Sequence, residues 1–348
     1  MATLLDKRAA AGYGELVNAV YAMFLSDPHN LEPHTSSSFA PIWKQIAWID
    51  MKDFILGFTD PRFYGVVLQA TDANTTGFDY AIAIRGTEGA LEWIDDALAV
   101  PVPFAPVPDS GRVAYGFNKI YSTLNVTHVA TRERLQLAAG ATRQTFGHQI
   151  NALVEAEPSP RRIRSAADPT EPRGQFLVLG HSLGAALATL YVMENASLGT
   201  VQHINTICTY ASPRVGWVRF VQKFNELASK NGITSWRIAN VNDLVTHLPS
   251  ELLGYRDVDA GSKFSGAGIA KNNPICMHNM RTYQHWLDPE HYSAPDGCAL
   301  THPVGALVET LAAGRLSIPD TAIKAKALDS DDAIGFTIDA EIPRSALP

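Results

Sequence analysis

The sequence predicts an α/β fold, with a mostly parallel central sheet and helices on both faces, and three observations carry that prediction. Short apolar runs alternate with helix-patterned stretches along the chain. At one such junction the pentapeptide Gly180-His181-Ser182-Leu183-Gly184 stands between an apolar run and a stretch rich in strong helix formers. Hydrophobic residues at 46% against 18% charged supply enough apolar side chain for one large core in 348 residues. A single domain over residues 1–348 is expected, with a helical N-terminal segment, 1–55, and a tail, 320–348, without periodicity to assign.

The elements follow from spacing. Residues 14–25 place apolar side chains three and four apart, the mark of a helix packed by one face. The runs Phe63–Leu68 and Tyr80–Ile84 flank the turn-forming Asp72-Ala73-Asn74-Thr75-Thr76-Gly77, so two hairpin strands are expected. A polar helical stretch is read from about 129 to 155, then a loop rich in proline and arginine. Gln175–Leu179 reads as a strand and Ala185–Met193 as a helix. Further strands are expected at 205–210 and 235–240, with a helix over 220–227 between them.

In Gly-x-Ser-x-Gly the serine occupies a sharp strand-to-helix turn, and the glycines remove side chains that would collide with neighbouring backbone. The turn exposes the Ser182 hydroxyl as a nucleophile. It also brings the Leu183 N–H to the reaction centre as a donor for an oxyanion.

The sequence here resembles the fungal-type, or class 3, lipase family of α/β-hydrolases. Ile84-Arg85-Gly86-Thr87 with Trp93-Ile94-Asp95-Asp96 is similar to the family's oxyanion strand end and following lid. Val113-Ala114-Tyr115-Gly116-Phe117 resembles the next block, with Tyr115 where a histidine is more usual. Tyr210-Ala211-Ser212-Pro213-Arg214-Val215-Gly216 and Asn242-Asp243-Leu244-Val245, leading to Leu248-Pro249, complete the order over roughly residues 60 to 285. The resemblance implies a carboxylic-ester hydrolase acting through a Ser-His-Asp triad, with triacylglycerols or simpler acyl esters as substrates. A phospholipase, feruloyl esterase or polyester hydrolase uses the same machinery, and a catalytically dead hydrolase fold used for binding is the rival from another class.

Serine needs a base to take its proton and a carboxylate to orient that base. In this fold the chain order is serine, acid, histidine. Asp243 is the candidate acid. His247, His278, His285, His291 and His302 all follow it, and His247 is too close to return. His278 is favoured because His278-Asn279-Met280-Arg281-Thr282-Tyr283 resembles the family's histidine segment, while the longer spacing of fungal members suits His291 or His302. By the same resemblance Thr87 supplies the second oxyanion donor. Residues 88–108 are expected to form a lid, with Leu91, Trp93 and Ile94 on the apolar face of a short helix and a proline-rich run, 99–108, that cannot be helical.

The bulk properties narrow the partners. A net charge of −7 repels polyanions, which argues against nucleic acid. The basic run Arg161-Arg162-Ile163-Arg164 lies among prolines, as a solvated loop does. The expected partner is a small-molecule or lipid ester, with peripheral contact at a lipid interface. The chemistry calls for no metal or organic cofactor. No signal peptide is visible, so a cytoplasmic place or export by a non-classical route is expected. Cys276 and Cys298 suit a disulfide if the chain is exported, and a reduced state explains the count of three cysteines equally well.

Overall fold

The chain begins with a capped helix. In the computed structural model, which describes residues 4–52, 60–87, 99–135, 145–158, 174–198, 203–259, 261–270, 273–296 and 298, Asp6 accepts the Ala9 N–H at 3.0 Å and opens α1 (Lys7–Ser26). There follow β1 (Trp43–Lys52), β2 (Pro61–Ala70), α2 (Ala73–Thr76) and β3 (Tyr80–Ile84). Then come β4 (Pro101–Pro103), β5 (Arg112–Ala114), α3 (Tyr115–Tyr121), β6 (Asn125–His128) and α4 (Phe146–Ala156). The middle of the chain holds β7 (Gln175–His181), α5 (Leu183–Leu198), β8 (His203–Tyr210), β9 (Gly216–Trp217), α6 (Val218–Lys230) and β10 (Thr234–Asn240). The last described elements are β11 (Tyr255–Arg256), β12 (Ser262–Phe264), α7 (Pro274–His278) and α8 (Met280–Leu287).

Eight strands form the central sheet in the order β12-β10-β8-β7-β3-β2-β1-β6. The half from β12 to β3 is parallel and the half from β3 to β6 antiparallel. This is the expected α/β-hydrolase class, a large and mostly parallel sheet between helices. Side-chain alternation assigns the two faces. Tyr80, Ile82 and Ile84 join Phe176 and Val178 in a core built with α3, α4, α5 and α6. Ala81, Ala83, Leu177 and Leu179 face the other way, against Val17, Val20, Met23 and Phe24 of α1 and Tyr283 of α8. Each large apolar side chain buried in these layers contributes about 1.5–3 kcal/mol.

α5 is buried on every side from Leu183 to Asn195, as suits a helix at the centre of a covered sheet. Its one buried acid, Glu194, accepts the hydroxyls of Tyr121 and Thr145.

Two sequence expectations are corrected, and one feature of the sheet is new. Among the described residues of the segment 1–55, an α-helix spans Lys7–Ser26 and a single 3-10 turn Ser37–Phe39, while Trp43–Lys52 is a ten-residue strand. The stretch from 129 to 155 is helical, among the described residues, only from Phe146, where Thr145 accepts the His148 N–H as a cap, and β6 closes the sheet just before it. A second sheet of very short strands, β11-β9-β5-β4, was not anticipated. The proline-rich run, expected not to be helical, contributes β4 (Pro101–Pro103) to it. No described helix is long and apolar enough to cross a membrane.

Candidate active site

β7 runs into the pentapeptide and stops at His181. Ser182 then takes a left-handed backbone conformation, φ 57°, and donates its N–H to the Tyr210 carbonyl at 3.0 Å. A non-glycine residue in that region costs about 1–3 kcal/mol, which packing must offset. The neighbouring glycines permit it by close approach. A Cβ on Gly180 would lie 2.3 Å from the Gly184 carbonyl oxygen, and one on Gly184 would lie 2.3 Å from that of Ile84. The turn is thereby wedged between β7, α5 and the end of β3.

Asp243 follows β10 and is almost wholly buried, 1% exposed. Its Oδ1 accepts the Val245 N–H at 3.0 Å, so it also caps the short turn Leu244–His247. Its Oδ2 lies 2.8 Å from His278 Nδ1 and accepts the Tyr283 hydroxyl at 2.7 Å. His278 ends α7, a helix started by Asn273, which accepts the Ile275 and Cys276 N–H groups, and by Pro274 at its first position. The far ring nitrogen, Nε2, lies 2.8 Å from Ser182 Oγ. Ser182, His278 and Asp243 therefore form one line of hydrogen bonds. With Nδ1–H donated to Asp243, the Nε2 lone pair faces the serine hydroxyl and is placed to take its proton.

The other histidines point elsewhere. His247 Nε2 donates to the Val241 carbonyl at 3.0 Å, and His285 Nδ1 donates to that of Tyr292 at 2.6 Å. His291 pairs at the surface with Asp288, 2.9 Å away. His302 lies outside the described residues.

The expected oxyanion side follows β3. Arg85 is buried between the rings of Phe24 and Tyr64, 3.5 and 4.0 Å from their centroids. It donates Nη1–H to the Gly86 carbonyl at 2.7 Å. That bond fixes the Gly86–Thr87 peptide plane, and with it the direction of the Thr87 N–H, opposite to the carbonyl. The Thr87 hydroxyl is buried and has no hydrogen-bond partner among the described residues. Gly86 passes close to the nucleophile, since a Cβ there would meet Ser182 Cβ at 2.6 Å. Leu183, the other expected donor, opens α5 directly after Ser182. Leu91, Trp93 and Ile94, the expected lid residues, lie outside the described residues.

The structure adds residues that the motif analysis did not single out for a role. Tyr283 shares Asp243 with His278, and Asn240 links the two loops that carry them. Cys276, two positions before His278, is joined to Cys298 by a disulfide with Cα atoms 5.4 Å apart. Among the described residues no group of acids, histidines and cysteines is arranged to hold a metal ion.

A nucleophile elbow on a covered α/β sheet, facing a histidine and a buried carboxylate, defines a serine hydrolase of the α/β-hydrolase class. Residues 81–253 match the model of the family described as lipase (class 3), and the chain belongs to that family. A phospholipase A1-II 4 of Oryza sativa subsp. japonica is 26% identical over 317 residues, covering 80% of this chain and 74% of the relative. A chloroplastic phospholipase A1-Igamma2 of Arabidopsis thaliana is 32% identical over 214 residues, covering 58% of this chain and only 36% of the relative. Among solved structures, the native Rhizomucor miehei lipase propeptide complex aligns with a TM-score of 0.48 at 20% identity, over 76% of this chain and 70% of that one.

Proposed function

We propose that this chain hydrolyses the acyl esters of lipids through an acyl-enzyme on Ser182, with His278 as base and Asp243 as its orienting acid. The observation that carries the reading is the His278 ring, 2.8 Å from Ser182 Oγ on one side and 2.8 Å from Asp243 on the other. As Oγ bonds to the ester carbonyl carbon, its proton passes to His278 Nε2. The carbonyl oxygen becomes an oxyanion facing Thr87 and Leu183. The bond to the alcohol then breaks, and the alcohol leaves with the proton from His278. Water repeats the sequence on the acyl-enzyme and frees the acid.

The phospholipase A1 names of the plant relatives favour a phosphoacylglycerol as substrate. The sequence expectation of a triacylglycerol is the competing arm of the test. Val241, Leu244 and Leu252, 45%, 42% and 80% exposed along the loop after β10, support peripheral contact with a lipid surface.

The test compares release of fatty acid from phosphatidylcholine vesicles, a triacylglycerol emulsion and p-nitrophenyl esters by the wild type and Ser182→Ala. Activity on at least one lipid, lost in the variant, is expected. Full activity of Ser182→Ala would overturn the assignment, and hydrolysis of the emulsion alone would replace the phospholipid by the triacylglycerol.

A further inference from the structure

The residue before the nucleophile is held at both ends of its ring. His181 is 4% exposed, and its ring centroid lies 4.8 Å from that of His278. Its Nε2 is 2.8 Å from the backbone carbonyl oxygen of His278. Its Nδ1 is 2.8 Å from the hydroxyl of Tyr21 on α1. The same hydroxyl accepts the Gly86 N–H at 2.7 Å.

The two ends of this chain set the direction of every proton in it. A backbone carbonyl only accepts, so His181 must carry its proton on Nε2 to reach His278. A backbone N–H only donates, so the Tyr21 oxygen receives it from Gly86, and with the ring proton on Nε2 the Tyr21 hydroxyl is the donor to His181 Nδ1. The order requires a neutral ring. Burial first, and the neighbouring His278 second, hold the His181 pKa well below the ordinary imidazole value. The titratable groups facing the ring are Tyr21 from α1, His278 from α7 and Tyr283 from α8.

We propose that His181, with Tyr21, is a positioning residue that ties the strand end bearing Thr87 to the backbone of His278. The inference rests on the assignment of Ser182 and His278 as nucleophile and base. Gly86 immediately precedes Thr87, so the first bond of the chain holds the oxyanion side. The last bond holds the main chain from which the base projects. These two parts lie far apart in sequence, and the ring of His181 joins them beside Ser182. A Cβ on Gly86 would lie 2.6 Å from the Tyr21 oxygen and 2.6 Å from Ser182 Cβ, so the contact leaves no room for a side chain. Neutrality serves the reaction as well. When His278 takes the serine proton, an uncharged neighbour leaves the new cation unopposed, whereas a protonated His181 would repel it and reverse the Tyr21 bond.

The direct test needs no variant: nitrogen-detected NMR of the histidine rings in the wild-type protein between about pH 5.5 and about pH 8. His181 is expected to stay neutral with its proton on Nε2. Titration of that ring within the window, or a proton on Nδ1, would overturn the proposal. Kinetics supply the second arm. Tyr21→Phe keeps the aromatic edge against His181, whose centroid lies 5.7 Å away, and deletes only the hydroxyl. It is expected to lower kcat by about tenfold to a hundredfold while KM stays within about twofold. Combined with His181→Ala the losses should be far from additive, because both break one chain. Wild-type kcat in Tyr21→Phe, with Ser182→Ala inactive, sinks this inference alone. Activity surviving in Ser182→Ala sinks the reading beneath it.

Discussion

Tyr283 donates its phenol proton at 2.7 Å to Asp243 Oδ2, the oxygen that His278 Nδ1 also reaches, at 2.8 Å. One carboxylate oxygen thus serves the base and a buried tyrosine together, while Oδ1 is taken by Val245. The tyrosine acts as a stop that keeps the carboxylate from rotating away from His278. Tyr283→Phe removes this donor and keeps the ring on Phe264, at a centroid distance of 5.2 Å. A hydrogen bond to a charged group contributes about 1.5–3 kcal/mol, and unfolding free energy should fall by that much. kcat should fall by about tenfold with KM little changed, because the base loses orientation rather than the substrate its site. Denaturation curves and steady-state kinetics check both, and unchanged values in both would show that the hydroxyl holds nothing.

Thr87 gives a cleaner separation of side chain from backbone. Its hydroxyl is buried without a partner among the described residues, a costly state for a group that only provides structure. In the proposed reaction a developing oxyanion would supply the missing partner. Thr87→Val keeps the shape and the N–H and removes the hydroxyl, while Thr87→Ser restores it. Loss of one such donor typically costs about 3 kcal/mol in the transition state, or about a hundredfold in kcat. Val should show this loss and Ser should recover most of it. Equal rates in all three proteins would leave the backbone N–H as the group that matters there.

How much of this was legible in the sequence depends on how local each cause is. The turn at Ser182 was readable because its causes, two glycines, a preceding apolar run and a following helix, lie within a dozen residues. Trp43–Lys52 was not readable as a strand, because it is buried on both faces between β2 and β6 and shows no clean alternation. β4, β9 and β11 are two or three residues long, too short to leave a pattern. His278 is favoured among the downstream histidines by its resemblance to the family's histidine segment, and among the described residues only the path of α7 brings a ring to Ser182. The roles of Tyr21, His181 and Asn240 depend on partners 37 to 160 positions away and leave no local sign.

The buried tyrosines set the alkaline limit of stability. Burial is the first cause that pushes the phenols of Tyr121, Tyr210 and Tyr283 well above their ordinary value of 10.0, with Glu194, Cys208 and Asp243 adding to it respectively. A raised folded-state pKa means that the neutral form is favoured in the folded protein. The contribution is complete below the unfolded pKa near 10 and is lost as pH rises beyond it, because only the unfolded chain then releases its protons. Each such group makes stability fall by about 1.4 kcal/mol per pH unit, so the three give about 4 kcal/mol per unit above about pH 10. Urea unfolding at a series of alkaline pH values should show at least this slope in the wild type, because burial raises the Tyr191 and Tyr255 phenols as well. Tyr283→Phe should reduce the slope by about 1.4 kcal/mol per pH unit, and an unchanged slope in that variant would remove Tyr283 from the account.

Asn240 offers a test of how the acid and base loops are joined. Its Nδ2 donates to the Met277 carbonyl at 2.9 Å, and its Oδ1 accepts the N–H groups of Asn242 at 3.1 Å and Gly266 at 2.8 Å. Met277 precedes His278 and Asn242 precedes Asp243, so one fully buried amide sets the spacing between base and acid. Asn240→Asp keeps the shape and the acceptor but turns the donor into an oxygen facing a carbonyl. At neutral pH this places a buried charge against an acceptor, at a cost of about 3 kcal/mol or more, and kcat should fall with it. The folded state must then raise the new carboxyl's pKa above its unfolded value, because the neutral form alone returns an O–H to Met277. Stability relative to wild type should therefore recover as pH falls from about 8 to about 4.5. Asn240→Ala has no group to protonate and should show a deficit of similar size at both pH values. A deficit in Asn240→Asp that is the same at both would mean that the Met277 bond does not join the loops.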